Sequence, residues 1–190
     1  MAYSDFKNTE SWRRGMDNED KLSKLLTENG EEHHKATEDE NKKQHIDFHI
    51  KKYGRCDVKS MKVFHSGQHE QDEYICIEFQ NNSGNQGWID SETTDYIYLE
   101  FKNHHSVVKR SELCSLARKL CNIPTNDKGH VIPTRKEKEP YVLYHRRSCG
   151  NNDIFGYIKA SDIDHLIVEK IPKTKQHNNE SIEDDSSWML

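Results

Sequence analysis

The chain has 190 residues, which is the usual size of one compact domain with additional terminal segments. Only 32% of the residues are hydrophobic and 32% are charged, so the apolar side chains must be concentrated in a few helices and strands. The net charge of −5 argues against a protein that coats nucleic acid non-specifically, because that mode of binding needs an excess of lysine and arginine. Binding of nucleic acid through a local basic face is not excluded.

Signals for secretion, membrane insertion and disulfide formation are absent from the sequence. The N-terminal residues lack an apolar region, and no run of 18 apolar residues occurs, so secretion and membrane spanning are both disfavoured. The five cysteines form no Cys-x-x-Cys pair, which favours reduced thiols over a disulfide framework or a zinc ribbon. The sequence therefore predicts a cytoplasmic protein without a membrane partner, in the host cytoplasm if the chain is viral.

The first third of the chain combines one amphipathic segment with polar stretches. Residues 1–16 are predicted to form an N-terminal arm without regular structure. A helix is predicted from Asp17, because acidic and capping residues precede an apolar face of three leucines, and Asn29-Gly30 ends it. Residues 31–43 are almost entirely polar and predict a charged linker.

The rest of the chain alternates between strand patterns and one helical pattern. Strands are predicted at 45–51, 56–64, 74–79, 95–101, 106–109, 141–145 and 155–159, with a helix at 111–121 and a short helical turn at 161–166. Residues 122–139 are predicted to form a loop, and residues 172–190 a disordered acidic tail. This order predicts an α/β or α+β sheet domain over residues 17–171.

Two acidic residues on neighbouring predicted strands are the strongest candidates for chemistry. Asp57 lies near the start of one strand and Glu78 near the end of the next, so antiparallel pairing of the two strands would bring them side by side. Because side chains alternate along a strand, Lys59 would share the face of Asp57 and Gln80 the face of Glu78. Converging carboxylates bind hard cations, and the pattern therefore predicts a metal site suited to phosphodiester hydrolysis.

The order of a helix carrying an acid, a strand with Asp57, and an apolar strand ending in Glu78-Phe79-Gln80 resembles the PD-(D/E)XK nuclease superfamily over roughly residues 17–121. The stretch from Ile77 to Trp88 also resembles small phage-type members. The resemblance implies a restriction-endonuclease-like core, with a central mixed β-sheet flanked by helices. It also implies a Mg²⁺ cofactor, replaceable by Mn²⁺, with Asp57, Glu78 and Glu19 as ligands. Asp20 fits the position of Glu19 equally well.

The chain departs from the family pattern at Gln80, where the family has a lysine. Glutamine can orient water or phosphate but carries no charge, and Lys59 could supply the ammonium group from the neighbouring strand. The resemblance further implies a DNA endonuclease that acts on branched DNA such as Holliday junctions, often as a homodimer. Asn81, Asn82 and Arg110 are candidate substrate-binding residues, because amides read base edges and basic side chains contact phosphates.

Several alternatives remain open from the sequence. The substrate could be RNA, and the presence of Gln80 keeps a catalytically silent binding module as the alternative function. Asp47 fits the metal site or a solvent-facing position equally well, and Asp95 fits a turn cap better than a substrate contact. The paired histidines at 33–34 and 104–105 are predicted to be solvated, because neither pair has a third ligand at a fixed spacing.

Overall fold

The computed structural model describes residues 10–61, 72–121, 141, 143–146 and 152–173, without the side chains of residues 11 and 146. The helices are α1 (Glu10–Glu28), α2 (Glu38–Gln44) and α3 (Arg110–Cys121), with 3-10 helices at Trp88–Asp90 and Ala160–Leu166. The strands are β1 (His33–Lys35), β2 (Phe48–Ile50), β3 (Gly54–Lys59), β4 (Tyr74–Gln80), β5 (Tyr96–Glu100), β6 (His104–Lys109), β7 (Leu143–Arg146), β8 (Asp153–Lys159) and β9 (Ile167–Pro172).

A six-stranded mixed sheet forms the centre of the described fold. Its strand order is β1-β2-β3-β5-β6-β9. Strand β3 runs parallel to β5, and every other neighbouring pair in this sheet is antiparallel. The sequence-based prediction of a mixed α/β protein with a central mixed sheet is therefore confirmed.

The two faces of this sheet are covered by different elements. Three leucines of α1, Leu22, Leu25 and Leu26, pack with Val58 and Tyr98 on one face. On the other face, alternating residues such as Ile97 and Leu99 pack against α3 and a second sheet. Burial of both faces explains why the strand β5 reads as a nearly continuous apolar run, as is usual for strands that are covered on both sides.

The second sheet has three strands in the order β4-β8-β7, all antiparallel. Strand β4 buries Ile75, Ile77 and Phe79 in the core that it shares with the central sheet. Strand β4 does not pair with β3, so the antiparallel pairing that would bring Asp57 and Glu78 side by side is not formed. The pairing hypothesis is wrong because β3 already has a partner on each side, β2 and β5.

The N-terminal third of the chain is more regular than its composition indicates. Helix α1 begins at Glu10, so residues 10–16 belong to the helix and not to an irregular arm. The segment 31–43 holds β1 and most of α2, whose start is stabilised by a capping box between Thr37 and Glu40. The strand β9 was not predicted, and it includes Pro172, the first residue of the predicted disordered tail at 172–190. Residues 174–190 of that tail lie outside the described residues.

Candidate metal centre

Asp57 lies in the middle of β3 and is 1% exposed. One carboxylate oxygen, Oδ1, lies 2.6 Å from the ammonium nitrogen of Lys59. The other oxygen, Oδ2, is buried and receives no hydrogen bond from an N–H or O–H donor of the described residues, and the carboxyl group of Asp47 lies within hydrogen-bonding range of the Asp57 carboxyl group. Burial raises the pKa of Asp57 well above its usual value, although the positive charge of Lys59 opposes this effect. A buried carboxylate oxygen without a donor costs free energy, and such groups often mark sites that bind a ligand or an ion.

Asp47 forms hydrogen bonds with both sequence neighbours of Asp57. Its backbone N–H donates to the Cys56 carbonyl at 2.8 Å, and its carboxylate Oδ2 accepts from the Val58 N–H at 2.7 Å. The other oxygen accepts from the side-chain amide of Asn41. The negative charge of Asp47 contributes to the raised pKa of Asp57. The short β2–β3 hairpin thus places two carboxylates next to each other.

Glu19 contributes a third carboxyl group from α1. Burial, followed by the negative charge of Asp47, raises the pKa of Glu19 to about 7. Asp20 does not share this environment, because its exposed carboxylate binds the ammonium group of Lys35 at 2.6 Å and its pKa is lowered by that contact. Of the two acids that fit the helix position in the sequence, Glu19 is the one that lies near the carboxylate of Asp47 and the ammonium group of Lys59.

Lys59 is the basic residue of this cluster. Burial lowers the pKa of Lys59, but the negative charges of Asp57, Asp47 and Glu78 outweigh that effect, and the net shift is upward. The ammonium nitrogen also lies 5.3 Å from the centroid of the Trp88 ring, within the range of a cation–π contact. Lys59 therefore stays protonated at neutral pH and holds the Asp57 carboxylate from one side.

Glu78 and Gln80 lie in the three-stranded sheet, apart from the strand of Asp57. Both side chains project from the face of β4 opposite to the buried Ile77 and Phe79. Glu78 still reaches Lys59 electrostatically, since its charge raises the lysine pKa. The amide nitrogen of Gln80 donates to the Asn152 carbonyl at 2.5 Å. Gln80 thus forms a hydrogen bond between the end of β4 and the residue that precedes β8.

All three predicted substrate-binding residues form hydrogen bonds within the protein. The Asn81 side-chain oxygen accepts from the backbone N–H groups of Ser83 and Asn85, each at 3.0 Å, and so shapes its own loop. Arg110 donates to the carbonyls of Thr94 and Ile89 at 3.0 and 2.9 Å. Asn82 lies in the same loop as Asn81, and its carbonyl accepts from the Asn152 N–H.

Other candidates from the sequence also have structural partners. Asp95 forms a two-pronged ion pair with Arg55, 3.0 Å for each contact, and so closes the turn before β3. His105 is 1% exposed and hydrogen-bonds Asn18 at 2.9 Å, so the prediction that it is solvated is wrong. Its neighbours on β6 alternate between the two covered faces of the sheet, which explains its burial.

The sequence contained signals for Asp47 and for the central role of β3. The chain between β2 and β3 is only three residues long, and Gly54 adopts a positive φ of 74°, as tight turns require. Such a short connection favours pairing of β2 with β3 over pairing with a more distant strand. Asp57-Val58-Lys59 then presents an acid and a lysine on one face of a single strand, without any contribution from Gln80.

Comparison of the chain with protein-family models, curated proteins and solved structures finds no match. Within the described part of the chain, no group of three or more His, Cys, Asp or Glu side chains is arranged to hold a metal ion. The described helices also include none long and apolar enough to cross a membrane. Functional inference therefore rests on the chemistry of the cluster itself.

Proposed function

We propose that this protein is a Mg²⁺-dependent endonuclease that hydrolyses phosphodiester bonds in DNA, with its catalytic centre at Glu19, Asp47, Asp57 and Lys59. The observation that carries the proposal is the buried Asp57 Oδ2, which receives no hydrogen bond from a donor among the described residues although the carboxyl group of Asp47 lies nearby. Asp47 in turn lies near the carboxyl group of Glu19. A cation at this position would satisfy that oxygen and offset the repulsion between the acids.

The revised set of residues also fits the PD-(D/E)XK pattern better than the set built on Glu78. The acid on a helix is Glu19, the first strand-associated aspartate is Asp47, and Asp57-Val58-Lys59 reads as the (D/E)-x-K tripeptide. In this register the lysine stands at its expected place. The departure at Gln80 disappears, because Gln80 no longer belongs to the motif, and a restriction-endonuclease-like core remains the fold that we propose.

The donor set suits magnesium in particular. Mg²⁺ prefers oxygen ligands and is commonly bound through one or two carboxylates together with substrate phosphates and water. A site of this kind does not need three protein ligands, and Asp57 Oδ2 with the carboxylate of Glu19 would provide two. Mn²⁺ should substitute, since carboxylates and water also suit that ion.

Each residue has a distinct task in the proposed reaction. A metal ion bound here would supply an activated water and stabilise negative charge on the phosphate. Asp57 and Glu19 would bind the ion, and Asp47, held by Val58 and Asn41, would fix the β2–β3 hairpin and keep the site negative. The Lys59 ammonium group, already within 2.6 Å of Asp57, would hold the attacking water or the scissile phosphate.

The test is a cleavage assay on a panel of labelled nucleic acids: linear duplex, four-way junction, single-stranded DNA and RNA. The proposal expects cleavage of DNA with Mg²⁺ or Mn²⁺, loss of cleavage in EDTA and loss in Asp57→Asn. Glu78→Gln is the matched control, since it removes the other acid considered for the site. Chelator-resistant cleavage, or full activity in Asp57→Asn, would contradict the proposal. Binding without cleavage of any substrate would favour the silent binding module.

A further inference from the structure

Three aromatic rings lie together on the outer face of the three-stranded sheet. We call Tyr144, Phe155 and Tyr157 the aromatic face. The Tyr144 and Phe155 rings are stacked with centroids 5.4 Å apart and an angle of 15° between their planes. Tyr157 meets both rings edge-on, at 5.8 and 5.7 Å. Tyr144 is 46% exposed, so part of this ring system is open to solvent.

The alternation of the strands explains why these rings point outward. Leu143, Ile154 and Ile158 fill the core on the inner face of the same two strands. The residues between them must project from the opposite side of the sheet. Cross-strand contact between Tyr144 and Phe155 stabilises the sheet, and the exposed part of Tyr144 leaves ring surface for contact with a ligand.

Glu78 connects the aromatic face to Lys59 of the proposed metal centre. In the register of the sheet, Glu78 is paired with Phe155, and Phe155 is paired with Tyr144, so the three residues form one row across the strands. Glu78 raises the pKa of Lys59, and Lys59 lines one small cleft with Cys76, which also lies on β4. Since neighbouring strands are about 4.8 Å apart, the row extends roughly 10 Å from Glu78 to Tyr144.

We propose that the aromatic face stacks unpaired bases of the nucleic acid that is cut at the proposed metal centre, so that the preferred substrate carries a single-stranded segment. This inference rests on the proposed nuclease function. Aromatic rings on a sheet surface bind bases of any identity, because every base offers a flat π-face. Lys159 is exposed on the same face of β8, next to Tyr157 in the alternation, and can neutralise a phosphate of the bound strand.

The direct test measures binding without metal, so that cleavage cannot interfere. Fluorescence anisotropy in EDTA would compare a labelled single-stranded oligonucleotide with the corresponding duplex. The wild-type protein should bind the single strand more tightly, and Tyr144→Leu should weaken that binding roughly tenfold while duplex binding changes little. Tyr144→Phe keeps the ring and should bind as the wild type does. Val168→Ala, at an apolar residue of β9 that is 53% exposed, should have no effect.

The possible results separate this inference from the proposed function. If Tyr144→Leu bound the single strand as tightly as the wild type, and its circular dichroism spectrum matched that of the wild type, base stacking on the aromatic face would be contradicted. Equal weakening by Tyr144→Phe would also overturn it, since the ring would then not be what binds. Ring-dependent binding in a protein that cleaves nothing with Mg²⁺ or Mn²⁺ would support base stacking on the aromatic face and contradict the proposed nuclease activity. Cleavage without ring-dependent binding would support the nuclease activity and contradict base stacking on the aromatic face.

Discussion

In the six-stranded sheet Asp57 is 1% exposed, whereas in the three-stranded sheet Glu78 lies on an outer face and is partly exposed. The two acids have similar sequence settings, since each follows an apolar residue within a strand. They differ in what covers their face of the sheet. Asp57 shares its face with Ile97, its partner on β5, and that face is packed against the second sheet.

This difference changes which acid is expected to carry chemistry. An exposed carboxylate is solvated and costs little, whereas a buried carboxylate with an unpartnered oxygen is expensive and needs compensation. Lys59 compensates one oxygen of Asp57 and leaves the other available. The outer face of the three-stranded sheet, by contrast, presents rings and Glu78, which suits contact with a ligand better than metal binding.

The most severe test of this comparison replaces each acid by its amide. Asp57→Asn should lower Mg²⁺-dependent cleavage at least about a thousandfold, or about 4 kcal/mol of transition-state stabilisation, because it removes a charged metal ligand. Glu78→Gln should lower cleavage less than about tenfold. Steady-state kinetics on one DNA substrate at saturating Mg²⁺ would provide both values.

Thermal denaturation provides the control for Asp57→Asn. The pKa of Asp57 is raised in the folded protein, so the ionised form is disfavoured by folding and stability falls as pH rises above the usual aspartate pKa. A neutral amide avoids this cost. Without metal at neutral pH, Asp57→Asn should therefore unfold at the same or a higher temperature than the wild type. A lower unfolding temperature would mean that lost activity reflects damage to the fold.

The central sheet should also contribute to the pH dependence of stability through the buried His105. Burial lowers the pKa of His105 to about 4, so the folded protein excludes a proton that the unfolded chain binds below its usual histidine pKa of 6.5. The contribution of His105 to stability is fully present above pH 6.5 and is lost as the pH decreases towards about 4, by up to about 3 kcal/mol. Urea denaturation at a series of pH values would measure this loss.

His105→Gln is the matched variant for this effect. Its side-chain amide can still donate to the Asn18 oxygen, which His105 Nε2 contacts at 2.9 Å, but it does not titrate. The difference in unfolding free energy between wild type and variant should therefore change with pH between about 6.5 and about 4. A constant difference over this range would show that His105 is protonated without cost in the folded state.

A third comparison sets the lysine of the central sheet against the glutamine of the smaller one. Lys59→Ala should lower the cleavage rate about a hundredfold, because it removes a charged group next to the reacting phosphate. Gln80→Ala should change the rate less than about threefold, since the amide contacts the Asn152 carbonyl rather than the centre. Single-turnover rates would separate the chemical step from binding. An equal loss of cleavage rate in both variants would indicate that Gln80 belongs to the catalytic centre.

The sequence predicted the elements of the fold better than their partners. Alternation identified β4, β5 and β8, and the three leucines of α1 fixed its buried face, because both signals are local. Partner choice is not local. The chain between β3 and β4 spans residues 60–73, long enough for β4 to join another sheet, and alternation in β4 could not show that Ile77 packs between two sheets while Glu78 faces outward.

The candidate metal centre shows the same difference between local sequence signals and non-local contacts. Asp57 and Lys59 were identified because their spacing on one strand is visible in the sequence, and they are in contact at 2.6 Å. Glu19 could not be separated from Asp20, since only the position of α1 brings one of them near Asp47. His105 was misjudged because a histidine in an alternating strand next to a turn gives no signal of burial on its own.

The smallest effect that we expect concerns Glu19 and the pH at which the centre assembles. The pKa of Glu19 is raised to about 7 in the folded protein, so its carboxylate is protonated at lower pH and cannot bind a cation. Folding stability without metal should fall as pH rises from the usual glutamate value of 4.5 to about 7, whereas binding of Mg²⁺ should strengthen over the upper part of that range.

The shift of unfolding temperature on adding Mg²⁺ measures this linkage directly. For the wild type, the shift should grow between about pH 6 and about pH 8, corresponding to roughly tenfold tighter binding. Glu19→Gln should give a small shift that is independent of pH, and Asp20→Asn should behave as the wild type, because Asp20 contacts Lys35 instead. If Glu19→Gln kept the pH dependence, another acid of the cluster would have to bind the ion, and Asp47 would be the next residue to change.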